Sequence, residues 1–358
     1  MLITKPDYYD EFSCIADKCD ETCCIGWQIM IDDDSLEMYK NTEGELGERL
    51  REEVDYKEGF FKQKAGKCSF LNNEGLCELQ TTFGEEMLCN TCKKYPRHTE
   101  EYEDVRELSL SLSCPAAADI MLSRKEKWIF VEEETDDFDD DFEAFDFFMY
   151  DKLVVARDLI YEIIANRNLK LITRMKILLA LGHKLQNLHN ENQLCEAEAV
   201  LDFYSQILLL KESEINETFQ DSDINNFGKM KALFSSLYDL EMLNPGWIKI
   251  LDNTWNKYYD KNIGSIEAFE NIEEEIEIGL ENILMFFVYT YFCGAVYDDE
   301  IYSKVALCVY STKWIFEIFL ANDFDERPFI NLRKSAVKYA REIEHSDLNI
   351  EAIENLFI

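Results

Sequence analysis

No run of apolar residues in this sequence is long enough to cross a bilayer. The longest, Ile283–Val296 (ILMFFVYTYFCGAV), falls short of the roughly 20 residues a spanning helix needs, and acidic residues precede and follow it. It reads as a buried helix, which excludes membrane insertion. The N-terminus, MLITKPDYYDEF, lacks the charged-then-apolar pattern of a secretory leader, so the expected setting is the reducing cytoplasm. Positive charge is scarce as well: 36 Lys and Arg stand against 73 Asp and Glu, a formal net charge of −37. Such a field repels phosphate backbones and anionic lipid surfaces, which excludes nucleic acid as a partner.

Other absences narrow the chemistry. There is no GxxxxGK[ST] phosphate loop and no internal repeat. Short β-branched runs alternating with helices, and the glycine-rich turn that follows the first strand of a Rossmann domain, are also missing. Four histidines are scattered and form no catalytic pair; no Ser/His/Asp or Cys/His arrangement stands out. With 73 carboxylates any acid–base spacing arises by chance, so no pair can be singled out.

What is present is cysteine, twelve in all, nine of them within residues 1–114. The first group is Cys14-x4-Cys19-x3-Cys23-Cys24. The second is Cys68-x8-Cys77-x11-Cys89-x2-Cys92, followed after a gap by Cys114. A 358-residue chain with 47% apolar residues can build its cores without disulfides. In a reducing setting, dense thiols then point to a metal or iron–sulfur site. A CxxC turn aims backbone amides at two sulfurs, and both tetrahedral zinc and a [4Fe–4S] cluster take four such ligands. The spacing leaves open one site or two, and zinc or iron–sulfur. His98 is a further candidate ligand. Cys195, Cys293 and Cys308 lie among apolar neighbours at helical positions and read as small buried hydrophobes.

The rest of the chain reads as helix. From about Tyr150 onward apolar residues recur at three- and four-residue spacing, as in DKLVVARDLIYEIIANR and RMKILLALGHKLQNLH. Further helices are predicted around 194–213, 226–242, 247–260, 265–296, 300–321 and 330–344, with breaks at Asn244-Pro245-Gly246 and Arg327-Pro328. Between the halves, Glu132–Asp146 (EEETDDFDDDFEAFD) carries ten carboxylates and no base, with Phe138, Phe142 and Phe145 interleaved. The expected architecture is therefore mainly α: an irregular cysteine-rich metal or iron–sulfur module over 1–125, an acidic linker over 126–149 and an α-helical domain over 150–358.

Trp27, Tyr39, Tyr95, Arg97 and His98 lie near the cysteine groups. An aromatic wall of this kind holds a sulfonium or methylated ammonium by cation–π attraction of about 0.5–2 kcal/mol. Trp27, Tyr95 and Arg97 are the candidate cofactor contacts. Trp27 sits in an alternating run, IGWQIMID, that also reads as a strand covering the metal site, and the basic turn around Arg97 also suits charge balance beside a cluster. His183, His189 and His345 fall in helical stretches and read as core or solvated residues.

Four motifs in order, PDYYDEFSCIADKCDETCCIGWQIMID, CSFLNNEGLCEL, LCNTCKKYPRH and LSLSCPAAADIML, resemble the bacterial flagellin lysine-N-methylases and, more loosely, small cysteine-rich proteins described as zinc- or iron-chelating. The resemblance covers roughly the first third of the chain. It implies that Cys14, Cys19, Cys23, Cys24, Cys68, Cys77, Cys89 and Cys92 are the metal-chelating set, joined by Cys114 in the methylase branch. It also implies S-adenosylmethionine-dependent methylation of surface lysines on flagellin, with an iron–sulfur cluster or zinc. The CxxxCxxC triad of radical enzymes is absent, since Cys24 follows Cys23 directly, and a deprotonated lysine amine can displace a sulfonium methyl group without radicals. Two other readings stand beside this one: a metal-binding or escort protein without catalysis, and a radical enzyme with unusual cluster spacing.

Overall fold

The computed structural model describes residues 1–135 and 145–358 and is mainly helical. Four strands form its main sheet: β1 (Leu2–Pro6), β2 (Arg97–Tyr102), β3 (Val105–Leu110) and β4 (Phe130–Glu134), in the order β2-β3-β1-β4. The β1–β3 pair is parallel and the other two are antiparallel. Sequence patterning did not predict this sheet. On β3 the deeply buried positions include Glu107 and Ser109, 3% and 2% exposed, so the apolar alternation that marks a half-buried strand is missing.

Between β1 and β2 lies the irregular cysteine-rich segment, with helices α1 (Asp33–Asn41) and α2 (Gly44–Glu53), two-residue strand pairs at Val54–Asp55/Phe60–Phe61 and Gln63–Lys64/Lys67–Cys68, and short helices at Glu78–Phe83 and Asn90–Lys94. Asp32 starts α1 by accepting the Ser35 amide on its side chain, the usual N-cap device. This segment has its own small core, in which Ile29, Tyr39, Leu50, Phe61 and Phe70 pack with Cys24, Cys68 and Cys89. Trp27 is not in a strand; it sits in a bend.

The second core is larger and runs from Tyr8 through Ile353, taking in the sheet, α3 (Pro115–Leu122), α4 (Phe147–Ile164), α5 (Leu171–Asn190), α6 (Glu274–Tyr291), α7 (Ile301–Ala321), α8 (Pro328–Ile343) and α9 (Asp347–Glu354). Caps follow the sequence: Asp146 receives the Met149 amide at the start of α4, Pro328 opens α8, and Ser346 receives the Asn349 amide at the start of α9. Every residue of α7 from Ile301 to Ile318 is buried, so it is the central helix, packed against α5, α6, α8 and α9. Its approach to α5 depends on Gly182, where a Cβ would lie 3.0 Å from the Val305 side chain.

Glu274–Asp298 is long and apolar enough to span a bilayer, but 83% of its most apolar window is buried inside the protein, as befits a core helix. The expected helix over 265–296 is interrupted, a short Ile266–Phe269 turn preceding α6, while 300–321 and 330–344 correspond to α7 and α8 within two residues. Within the expected acidic linker, Phe130–Glu134 instead forms the edge strand β4 along β1, and Phe145 packs on the large core. Phe138 and Phe142 lie outside the described residues. Cys293 and Cys308 are buried; Cys195 is exposed.

One buried ion pair fastens the sheet to the helices. Arg157 of α4 donates to both oxygens of Glu107, at 2.6 and 2.5 Å, with both side chains under 10% exposed. The guanidinium also lies over the Tyr161 and Tyr289 rings. Removing one partner strands the other charge in a low-dielectric interior, so Glu107→Leu is expected to cost about 3–5 kcal/mol in urea unfolding. The Glu107→Leu/Arg157→Met double variant should regain most of that loss; a double variant as unstable as the single would show that the pair is not the source of the effect.

Candidate active site

Folding brings the two cysteine groups together rather than keeping them apart. Cys24 hydrogen-bonds with both Cys23, its neighbour in sequence, and Cys77, while Cys89 bonds with Cys92. Cys68, Cys77, Cys89 and Cys92 lie near enough to Cys23 or to one another to shift each other's ionisation, and Cys114 does the same with Cys19 and Cys23. Hydrogen bonding from Cys24 lowers Cys23 to about 7 and Cys77 to about 6, and leaves Cys24 itself raised. Burial pushes Cys68 and Cys114 up to about 11. Cys77, Cys89 and Cys114 each stand at the N-cap position of a helix, where the nearby backbone N–H groups and the positive end of the helix dipole favour thiolate.

Among the described residues, no three Cys, His, Asp or Glu side chains have the spacing of ligands around one metal ion, and all the cysteines are free thiols. The donor chemistry nevertheless suits a thiophilic ion or an iron–sulfur cluster: several thiols converge, three of them are buried in an apolar core, and backbone amides offset thiolate charge. His98 is not among them. Its Nε2 lies 2.6 Å from Glu100 Oε1, so it completes an ion pair rather than a metal site.

Helix α8 holds the first cysteine loop from the other side. Arg333 Nη2 pairs with Asp20 Oδ2 at 2.6 Å and Lys338 Nζ with Glu21 Oε1 at 2.7 Å. Arg341 donates through Nη2 to the Glu21 and Thr22 carbonyls, at 3.0 and 3.1 Å, and through Nε to the Ser113 carbonyl at 3.1 Å. One buried guanidinium thus ties the segment that carries Cys23 to the one that carries Cys114.

Beside this junction lies a cavity of about 460 Å³, within the range of ligand pockets. Trp27, Tyr95 and Arg97 all line it. The Trp27 ring stacks on His345 with centroids 4.5 Å apart, and Tyr95 lies 5.8 Å from Trp27 and 6.1 Å from His345. Trp27 Nε1 donates to the Cys23 carbonyl at 2.7 Å, so the same residue touches the cysteine loop and the cavity. Arg97 sits over the Phe12 ring. Tyr39 is elsewhere: it is fully buried in the small core and donates to the Met87 carbonyl.

Sequence reading missed half of this wall. His345 is no bystander of a helix; it follows α8 and completes the aromatic stack. Burial and the nearby Arg341 push it down to about 4, so it is a neutral ring at neutral pH. Glu344 also lines the cavity. A hydrogen-bonded chain runs from Tyr95 OH to Ser113 Oγ (3.0 Å), to Ser111 Oγ (2.7 Å) and to Glu344 Oε2 (2.8 Å). Burial pushes Glu344 up to about 7, against the opposing pull of Ser111, His98 and the Leu112 backbone amide. The signal that could have found these residues is weak, since a Glu-His pair at a helix end is common in so acidic a chain.

The family profile of the FliB lysine N-methylase C-terminal domain matches residues 157–358. Among curated proteins, "Flagellar biosynthetic protein FliU" of Salmonella muenchen is 26% identical over 132 residues, which are 34% of this chain and 78% of that protein. "Lysine-N-methylase" of Salmonella typhimurium and that of Salmonella choleraesuis are each 27% identical over 132 residues, again 34% of this chain but 33% of theirs. The match thus spans about a third of the length of those lysine-N-methylases. No solved structure matches.

Arg341→Met removes every bond from α8 to the Thr22 and Ser113 carbonyls while keeping the apolar stem. We expect iodoacetamide to label Cys19 and Cys114 several-fold faster, read by peptide mapping, with the far-ultraviolet circular dichroism unchanged. Unaltered labelling would show that the loop is held by other contacts.

Proposed function

The chain belongs to the family of FliB lysine N-methylases, and from that premise we propose that it transfers a methyl group from S-adenosylmethionine to lysine side chains of flagellin in the cytoplasm. We propose further that the cysteines Cys14, Cys19, Cys23, Cys24, Cys68, Cys77, Cys89, Cys92 and Cys114 hold metal, a [4Fe–4S] cluster in preference to zinc. The observation that carries the reading is the cavity: it opens between the cysteine loops and the helical domain, and Trp27, Tyr95 and Arg97, picked from sequence as cofactor contacts, converge on it.

The residues present suit a sulfonium. Trp27, Tyr95 and neutral His345 form an aromatic cluster on the cavity wall, and an aromatic ring attracts a cation that lies within about 6 Å of its centroid. Arg97, which lines the cavity, would receive the carboxylate end of the cofactor's amino acid. When bound, S-adenosylmethionine supplies an electrophilic methyl group. The protein's part is to hold that methyl against an amine, exclude water and strip the amine of its proton, because a lysine with an ordinary pKa near 10.4 is almost wholly protonated at neutral pH. A methyl transfer of this polar kind needs no radical, and the cysteine-bound metal then positions the loops that carry Trp27 and Tyr95.

Anaerobically purified protein should be brown, with iron and sulfide in matched amounts. It should bind S-adenosylmethionine in calorimetry, and add methyl groups to flagellin lysines by mass spectrometry, with S-adenosylhomocysteine as the other product. Trp27→Ala should weaken S-adenosylmethionine binding by about 2- to 30-fold, the equivalent of one lost cation–π contact, and Trp27→Phe by less. A protein with intact metal that binds no S-adenosylmethionine and leaves flagellin unmodified would instead be a metal carrier. A deoxyadenosyl product on cluster reduction would make the chemistry radical.

A further inference from the structure

We propose that Glu344 is the carboxylate that receives the ammonium of the substrate lysine in this cavity and takes its proton before methyl transfer. The proposal rests on the methylase reading above and deepens it by assigning the base. Three features single Glu344 out from the other carboxylates of the cavity wall. Its Oε2 is fixed by the Ser111 hydroxyl, while its Oε1 is buried without any hydrogen-bond partner. Glu100 is already engaged by His98, and Asp347 is exposed at the start of α9. A second orphan lines the same space: Thr290 is 4% exposed and its Oγ1 has no partner. A buried polar atom left unpaired costs about 1–3 kcal/mol, and two such atoms belong to side chains that line this one cavity, where a polar cation would satisfy them.

The chemistry balances. A proton passes from the lysine ammonium to Glu344, giving a neutral amine and a carboxylic acid. The nitrogen lone pair attacks the methyl carbon of a methylsulfonium donor; the N–C bond forms as the C–S bond breaks, its electron pair staying on sulfur to leave a thioether and an N-methylammonium. Glu344 then returns its proton to water. A base works best with a pKa near the operating pH, and burial lifts Glu344 to about 7. The groups that face it are Ser111, the Leu112 backbone amide, His98 and Glu100 from the sheet side, Tyr291 from α6, Tyr339 from α8, and His345 beside it in sequence. Ser111 is a positioning residue in this scheme.

The test compares the metal-loaded wild type with Glu344→Gln, Glu344→Asp and Ser111→Ala. With flagellin as substrate, Glu344→Gln should lower kcat by about 10²- to 10⁴-fold, with KM for S-adenosylmethionine little changed, and should lose the rise in rate through about pH 7 seen in the wild type. Glu344→Asp should recover part of kcat. Ser111→Ala, which keeps the carboxylate but removes the hydroxyl that favours its charged form, should move the rising limb to higher pH. Independently of activity, infrared titration of the wild type should show a protonated-carboxyl band disappearing near pH 7 that Glu344→Gln lacks. Unchanged kcat in Glu344→Gln, or persistence of that band, would overturn the assignment while leaving the methylase reading intact. A wild type that binds S-adenosylmethionine yet never methylates flagellin would overturn the reading itself, and the assignment with it.

Discussion

Arg341 is the contact on which the site depends. It is 8% exposed, and in a chain with twice as many acids as bases its charge is spent not on a carboxylate alone but on three backbone carbonyls, those of Glu21, Thr22 and Ser113. A guanidinium suits this task because its planar fork of donors reaches several acceptors at once and keeps its charge when buried. Two cysteine-bearing segments far apart in sequence are thereby held on one helix. Arg333 and Lys338 extend the grip to Asp20 and Glu21, so the acidic residues inside the first cysteine motif serve as the loop's attachment. The same charge bears on His345 and helps to keep that ring neutral, which preserves a π face where a protonated imidazole would repel a cation.

The cavity exists because two cores meet without merging. The small core organised around Cys24, Cys68 and Cys89 ends at Trp27, and the large core ends at α6 and the loop between α8 and α9. The sheet stands between them. Strand β2 brings Arg97, His98 and Glu100 to the cavity from its start, β3 carries Ser109 there, and the turn after β3 carries Ser111. The Glu107–Arg157 pair fixes β3 against α4. Buried polar atoms without a partner occur in several parts of the molecule, and two of them, Glu344 Oε1 and Thr290 Oγ1, belong to side chains that line the cavity.

What could be read from the sequence follows from the length scale of the signal. The long helices α4 to α8 repeat their apolar positions over four or more turns, so periodicity alone located them. The sheet did not announce itself because β1 is five residues long and β3 buries Glu107 and Ser109 where an apolar residue would normally sit. Trp27, Tyr95 and Arg97 were legible as neighbours of cysteine, and proximity in sequence became proximity in space. Glu344 and His345 were not, because they lie more than 200 residues from Cys114 and are brought to the cavity only by the packing of α8. The thiols were legible as a set, yet the pairing of Cys24 with Cys77, across the two groups, depends on the loop geometry that Ile25↔Lys67 and the Cys68-to-Cys24 backbone bond impose.

Charge also explains why an amine methylase of this design would want one free carboxylate rather than many. A sulfonium and an ammonium are both cations; at 4 Å in a partly screened site their repulsion is about 4 kcal/mol, larger than a cation–π contact returns. An aromatic wall alone would therefore attract either reactant but not both. A single enclosed carboxylate would let the amine arrive charged and react neutral, and with the proton moved to Glu344 the site would hold one cation beside the aromatic wall. More carboxylates at the same point would hold the ammonium as a salt and raise the cost of removing its proton. That is consistent with the arrangement here, where Glu100 is tied to His98 and Asp347 is left to solvent.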